Sequence, residues 1–177
     1  LVARMVNSMS ALSSSFTILF LFWTLTLLAR KLVSPGQHPD RGQQIVIFGS
    51  ALVGSLAYTF SDSFWFSAVE GEVYAMSSFF TALVFWAMLR WEAMADERGA
   101  DRWLILIAYL IGLSIGVHLL DLLAIPAIAF IYYFKKYPVN SRGIVLTLII
   151  SVLLLALTLY GIIPWIVKLA GFFELFF

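Results

Sequence analysis

The chain has 177 residues, of which 62% are hydrophobic and only 12% charged, with a formal net charge of +1 and a mean hydropathy of +0.98. A soluble domain is about 45–50% apolar and about 25% charged, so this composition points to lipid rather than water as the surrounding solvent. It gives no electrostatic case for binding nucleic acid. The absence of cysteine excludes disulfides, thiolate metal sites and a cysteine nucleophile.

A helix needs about 17–25 apolar residues to cross a bilayer. Uncharged runs of that order occupy residues 5–29, 43–61, 73–89, 103–120, 122–134 and 143–167, which predicts an all-α, polytopic transmembrane helical bundle of about six spans. The fifth run, LLAIPAIAFIYYF, is short, and it either borrows from the preceding HLLD or begins as a re-entrant stretch. The loops are short enough for a single transmembrane domain. The start, LVARMVNSMSALSSS, has neither an initiator methionine nor a signal-peptide pattern, and reads as the middle of a longer protein.

Between these runs the basic residues alternate. Residues 30–44, 90–102 and 135–142 hold nine of the eleven lysines and arginines, leaving only Arg4 and Lys168 for the other face. Because positive loops stay cytoplasmic, residues 60–72 and 118–121 are expected on the non-cytoplasmic side. SPGQHPD, with His38, is a turn, and Asp96, Glu97, Arg98, Asp101 and Arg102 form a solvated loop. Trp23, Trp86, Trp91, Trp103, Tyr132 and Tyr133 read as interfacial belt or packing residues.

Two stretches carry the candidate chemistry. The first, FSDSFWFSAVEGEVYAMSS, sets Asp62, Glu70 and Glu72 among Trp65, Tyr74 and other aromatics, a surface suited to stacking on a sugar ring or a lipid tail. Residues two apart on a helix point in roughly opposite directions, so Glu70 and Glu72 converge only if Gly71 breaks the helix. Otherwise they are solvated carboxylates at the favourable N-terminal end of the next span. The second stretch is IGLSIGVHLLDLLAIP. Gly112 and Gly116 form a small-xxx-small pair that would let a neighbouring helix approach. Ser114, His118 and Asp121 follow at spacings of four and three, along one side of a helix if it continues that far. A Ser-His-Asp triad is disfavoured there, because one helix face seldom aligns a nucleophile with its base. A polar helix end is the plain alternative. The preferred reading makes His118 and Asp121 a polar wall of an external site, since ionisable groups near membrane depth usually face a bundle interior or a wet cavity. No phosphate loop, HExxH helix or GxSxG elbow occurs, and two histidines cannot build a His-rich metal site, so no cofactor or metal is implied.

Together FSDSFWFSAVEGEVYAMSSFFTALVFWAMLRWE, LIGLSIGVHLLDLLAIPAIAFIYYFKK and RMVNSMSALSSS closely resemble the membrane family known as domain of unknown function 2723, across most of residues 1–136. That family resembles GT-C-type glycosyltransferases and is related to a eukaryotic transmembrane protein O-mannosyltransferase. The resemblance implies transfer of a sugar from a polyprenyl-phosphate-linked donor to a protein Ser or Thr hydroxyl, outside a bacterial inner (plasma) membrane. The family's acidic first-loop segment and its His-Pro-Pro-Gly turn have no counterpart in this sequence, so no catalytic residue carries over. Asp62, Trp65, Glu70, Glu72, Tyr74, His118 and Asp121 carry over only as positions near a substrate site. The competing class is a non-catalytic scaffold, or a lipid-binding or transporter-like subunit.

Overall fold

The computed structural model describes residues 2–176, Leu120 by its backbone alone. Its described residues are helical, with no strand. They run as α1 (Val2–Val33), α2 (Arg41–Thr59), α3 (Asp62–Val69), α4 (Tyr74–Met94), α5 (Asp101–Ile115), a 3-10 turn (Leu119–Leu123), α6 (Ala124–Lys136), α7 (Ser141–Ala156), a π turn (Leu157–Ile162) and α8 (Ile163–Phe176). Two compact units divide the chain at Asp121 and Leu122.

In the first unit α1 packs along α2, α3 and α4, and α4 packs on α5. Small and hydroxylated residues make part of those contacts, and aromatic rings such as Phe20 and Phe79 make others between α1 and α4. α1 buries Ser10, Ser14 and Thr17, and α2 buries Ile47, Ala51 and Ser55, in each case at helical spacing on one face. Leu12, Phe16, Leu52 and Val53 face outward instead. Burying hydroxyls and exposing large apolar side chains is the arrangement of helices whose solvent is lipid, where small residues let backbones approach and large ones gain nothing by hiding. α4 is the centre of the unit, with Met88 and Trp91 fully buried. Trp91 is therefore a packing residue rather than part of a belt. Trp86 sits between Trp23 and Trp103, at 5.5 and 5.7 Å between ring centroids.

Local sequence explains the helix ends. Asp40 caps α2 through a reciprocal pair: its Oδ1 accepts from the Gln43 amide at 2.8 Å, and its own amide donates to Gln43 Oε1 at 3.0 Å. The preceding turn passes through Gly36 at φ 69°, a left-handed conformation that glycine adopts without steric cost. Lys31 in the last turn of α1 pairs with Glu92 of α4. In the second unit, α6 packs on α7. Tyr133 Oη donates to the Pro138 carbonyl at 3.1 Å and accepts from the Asn140 amide at 3.1 Å, while Asn140 Oδ1 caps α7 at the Gly143 amide.

Each apolar run of the sequence contains a helix, but the expectation of six spans is corrected. Among the described residues two helices can cross a membrane by length and composition, Val2–Val33 and Ser141–Phe176, or three if α2 and α3, bent by 64°, count as one. The reasons are physical. At 1.5 Å per residue, α5 with 15 residues and α6 with 13 are about 22 and 20 Å long, short of the roughly 30 Å hydrocarbon core. α4 has 21 residues, but Arg90 and Glu92 near its end leave only Tyr74–Leu89 uncharged, about 24 Å of helix. The last run is longer than expected because the π turn carries α7 into α8 without a break. The Gly112 and Gly116 pair does not act as a close-approach motif either. A Cβ built at Gly112 would meet nothing within 4 Å, whereas one at Gly54 would lie 2.9 Å from Leu25 Cδ1, so the tight approach lies between α1 and α2.

Candidate functional site

The helix that begins at Asp101 stops at Ile115. The Val117 and His118 amides both bond back to the Ser114 carbonyl, at 2.9 and 2.8 Å, and the chain then turns into the 3-10 segment Leu119–Leu123. Ser114, His118 and Asp121 consequently do not share a helix face. Ser114 is fully buried and donates its hydroxyl to the Ile111 carbonyl at 2.8 Å, which removes any triad. The 3-10 turn sends Asp121 inward, where only 5% of it is exposed.

α4 receives that carboxylate. Ser77 and Thr81, four residues apart and hence on one face, donate to Asp121 Oδ1 at 2.9 and 2.7 Å. The other oxygen, Oδ2, is buried and has no hydrogen-bond partner. Buried carboxylate oxygens are normally paired, because leaving one without a donor forfeits its hydration for nothing in return. This is the most chemically unbalanced atom in the unit.

Asp121 lies in the wall of a cavity of about 770 Å³ bounded by α1, α2, α3 and α4. Thr17 and Thr24 of α1, Tyr58 of α2 and Ser67 of α3 contribute hydroxyls, and Tyr74, Ser77 and Thr81 line the α4 side. Leu21, Leu25, Ala82 and Phe85 make the remainder apolar. Thr24 Oγ1 is a second buried oxygen without a partner. Tyr74 presents its ring to His118 at a centroid distance of 5.7 Å. An apolar cavity with a few convergent polar groups is the usual form of a small-molecule site, and hydroxyls, one carboxylate and phenol rings suit a polyhydroxylated ligand.

Of the residues singled out in the sequence, Tyr74 and Asp121 line this cavity and His118 stands against Tyr74. Asp62, Trp65, Glu70 and Glu72 do not line it. Asp62 and Glu72 are exposed and Glu70 is half-buried. Trp65 is 54% exposed and stacks on Phe60 at 6.2 Å. The helix does break between Val69 and Tyr74, but without a positive φ at Gly71. A Cβ at Gly71 would lie 2.9 Å from Val6 Cγ1 and 3.2 Å from Asn7 Oδ1, so the turn rests against the start of α1. Sequence reasoning passed over Thr17, Thr24, Tyr58, Ser77 and Thr81. The available signal was spacing: Ser10, Ser14, Thr17 and Thr24 trace one side of α1, and Ser77 and Thr81 one side of α4.

The family model for the protein O-mannosyl-transferase TMEM260 N-terminal domain matches residues 1–141. No curated protein and no solved structure matches the chain. The O-mannosyltransferase relationship expected from the motifs therefore holds, and it covers every residue that lines the cavity. With helices suited to lipid and a glycosyltransferase-related match over most of its length, this membrane protein belongs to the protein O-mannosyl-transferase TMEM260 N-terminal domain family.

Proposed function

We propose that the chain forms part of an integral membrane glycosyltransferase of the GT-C type, which moves a sugar from a polyprenyl-phosphate carrier to a Ser or Thr hydroxyl of a protein on the non-cytoplasmic face. The observation that carries this reading is the cavity with Asp121 in its wall, inside the stretch matched by an O-mannosyltransferase family. Its hydroxyls and phenols suit the sugar, and its apolar side suits the first units of a lipid carrier.

In such a transfer the bond from the anomeric carbon to the carrier phosphate breaks as the acceptor oxygen bonds to that carbon. The hydroxyl proton passes to a base, and the departing phosphate needs cationic or dipolar stabilisation. We assign neither role within this chain. Tyr74, His118 and Asp121 would hold the donor sugar. Asp62, Trp65, Glu70 and Glu72, exposed on the segments that lead into α4, would meet the acceptor protein.

Asp121→Asn in the full-length protein tests the reading. Misplacing a reacting sugar by about 1 Å can cost roughly 10²-fold, so transfer from polyprenyl-phosphate mannose to an acceptor peptide should fall by about that factor while helix content and yield persist. Unchanged transfer would exclude the cavity as the donor site and favour a scaffold or lipid-binding role.

A further inference from the structure

The two oxygens of Asp121 are not equivalent, and the difference specifies a ligand contact. Oδ1 takes hydrogen bonds from both Ser77 and Thr81, which fixes the carboxylate plane from two points on one rigid helix. Oδ2 takes none. A carboxylate oxygen can only accept, and a serine or threonine hydroxyl has a single proton to give. Ser77 and Thr81 have therefore committed their donors, and Oδ2 calls for a donor that the described residues do not supply. The adjoining cavity is far larger than a single water requires. Thr24 Oγ1, also without a partner, lines the same cavity. Tyr74 adds an aromatic face, and the C–H side of a pyranose covers such a face while its hydroxyls point away.

We propose that Asp121 is the specificity-determining residue for the sugar: its Oδ2 accepts a hydrogen bond from one ring hydroxyl of a hexopyranose, while Ser77 and Thr81 act as positioning residues that hold Oδ1. The ligand class is a neutral hexose bearing a hydroxyl at that position. A sugar lacking that hydroxyl leaves Oδ2 buried and unpaired, so the site discriminates by the cost of an unmade bond. The inference deepens the donor-site reading above and rests on it for biological context, but the contact itself is a binding event that needs neither carrier nor acceptor.

The test is therefore equilibrium binding without turnover. The full-length protein in lipid nanodiscs is titrated with methyl α-mannoside, and with the analogues that lack the 2-, 3-, 4- or 6-hydroxyl, by saturation-transfer NMR. A hydrogen bond to a charged group predicts that one analogue binds roughly 10- to 100-fold more weakly than the parent sugar. Asp121→Asn should reduce that discrimination to a few-fold, since its neutral amide can still bond the hydroxyl but no longer with the strength of a charged acceptor. Thr81→Val, which keeps the carboxylate but loosens Oδ1, should retain the preference at a reduced ratio, and so guards against an Asn variant that fails to fold. Equal binding of every analogue would overturn the proposal, as would a preference that survives Asp121→Asn undiminished, or no binding of methyl α-mannoside at all. Normal discrimination in a protein that transfers no sugar would sink the transferase reading alone.

Discussion

Two acidic places in the first unit stand in opposite physical conditions. At the turn between α3 and α4, Glu72 is exposed and Glu70 half-buried, so water can serve their charge and their neighbours owe them little. Asp121 is 95% removed from solvent, being 5% exposed, and is held by two hydroxyls of a helix far away in sequence. Charge in water is cheap to keep and cheap to lose. Charge inside a helical bundle shapes everything packed around it, because each hydrogen bond it lacks is an energetic debt. The lesson is that the density of acidic residues along the sequence does not show which acid is buried: the single Asp121 is, and the cluster at the turn is not.

The sharpest way to break this contrast, beyond changing Asp121 itself, is to strip its donors. Ser77→Ala together with Thr81→Val leaves a buried carboxylate with neither oxygen paired. Each lost hydrogen bond to a charged group is worth about 1.5–3 kcal/mol, so thermal unfolding in detergent should show a loss of several kcal/mol. Adding Asp121→Asn to the pair should recover part of it, since the three residues form one network and their effects do not add. A full sum of the separate losses would mean that the hydroxyls stabilise α4 independently of Asp121.

How much of this was legible beforehand follows from what sequence patterns measure. Hydropathy registers apolar runs, and every run did contain a helix, but it does not register where a helix ends. α5 stops at Ile115 because the chain bonds back to Ser114, and α7 continues through the π turn into α8; neither event changes apolarity. Helical spacing puts Ser114, His118 and Asp121 on one face only if the helix continues, and the 3-10 turn abolishes that face. An acid beside apolar runs must find partners, and Asp121 does. Those partners lie some forty residues away on α4. Pairing across that distance is set by packing of α4 against the 3-10 turn, and no local pattern encodes it.

A smaller effect is expected at the hinge of the acidic turn. Gly71→Ala places a Cβ at 2.9 Å from Val6 Cγ1 and 3.2 Å from Asn7 Oδ1, so the turn must lift from α1 or Val6 must rotate. Overpacking of this kind costs about 1 kcal/mol at the low end of its range. A fall in stability of that order, with mannoside binding unchanged, would show that the turn is a docking contact for α1 and is uncoupled from the cavity. A loss of binding equal to that of Asp121→Asn would couple the two acidic places and end the contrast.

The smallest expected effect belongs to Glu70→Gln and Glu72→Gln, which remove charge and keep shape. Both side chains have solvent, so folding should change by no more than about 0.5 kcal/mol, and mannoside binding, if it rests on Asp121 as proposed, should not change at all. What they can alter is the encounter with an acceptor protein. Exposed charges steer association through the field they project, and that contribution weakens as salt is raised. If the turn meets the acceptor, the double Gln variant should raise the KM for a basic acceptor peptide several-fold at low ionic strength, with kcat unchanged, and the difference should shrink at high salt. A fall in kcat of the size expected for Asp121→Asn would instead place one of these glutamates at the reacting atoms. In that case the exposed turn would have to close over the cavity during transfer, carrying Glu70 or Glu72 with it.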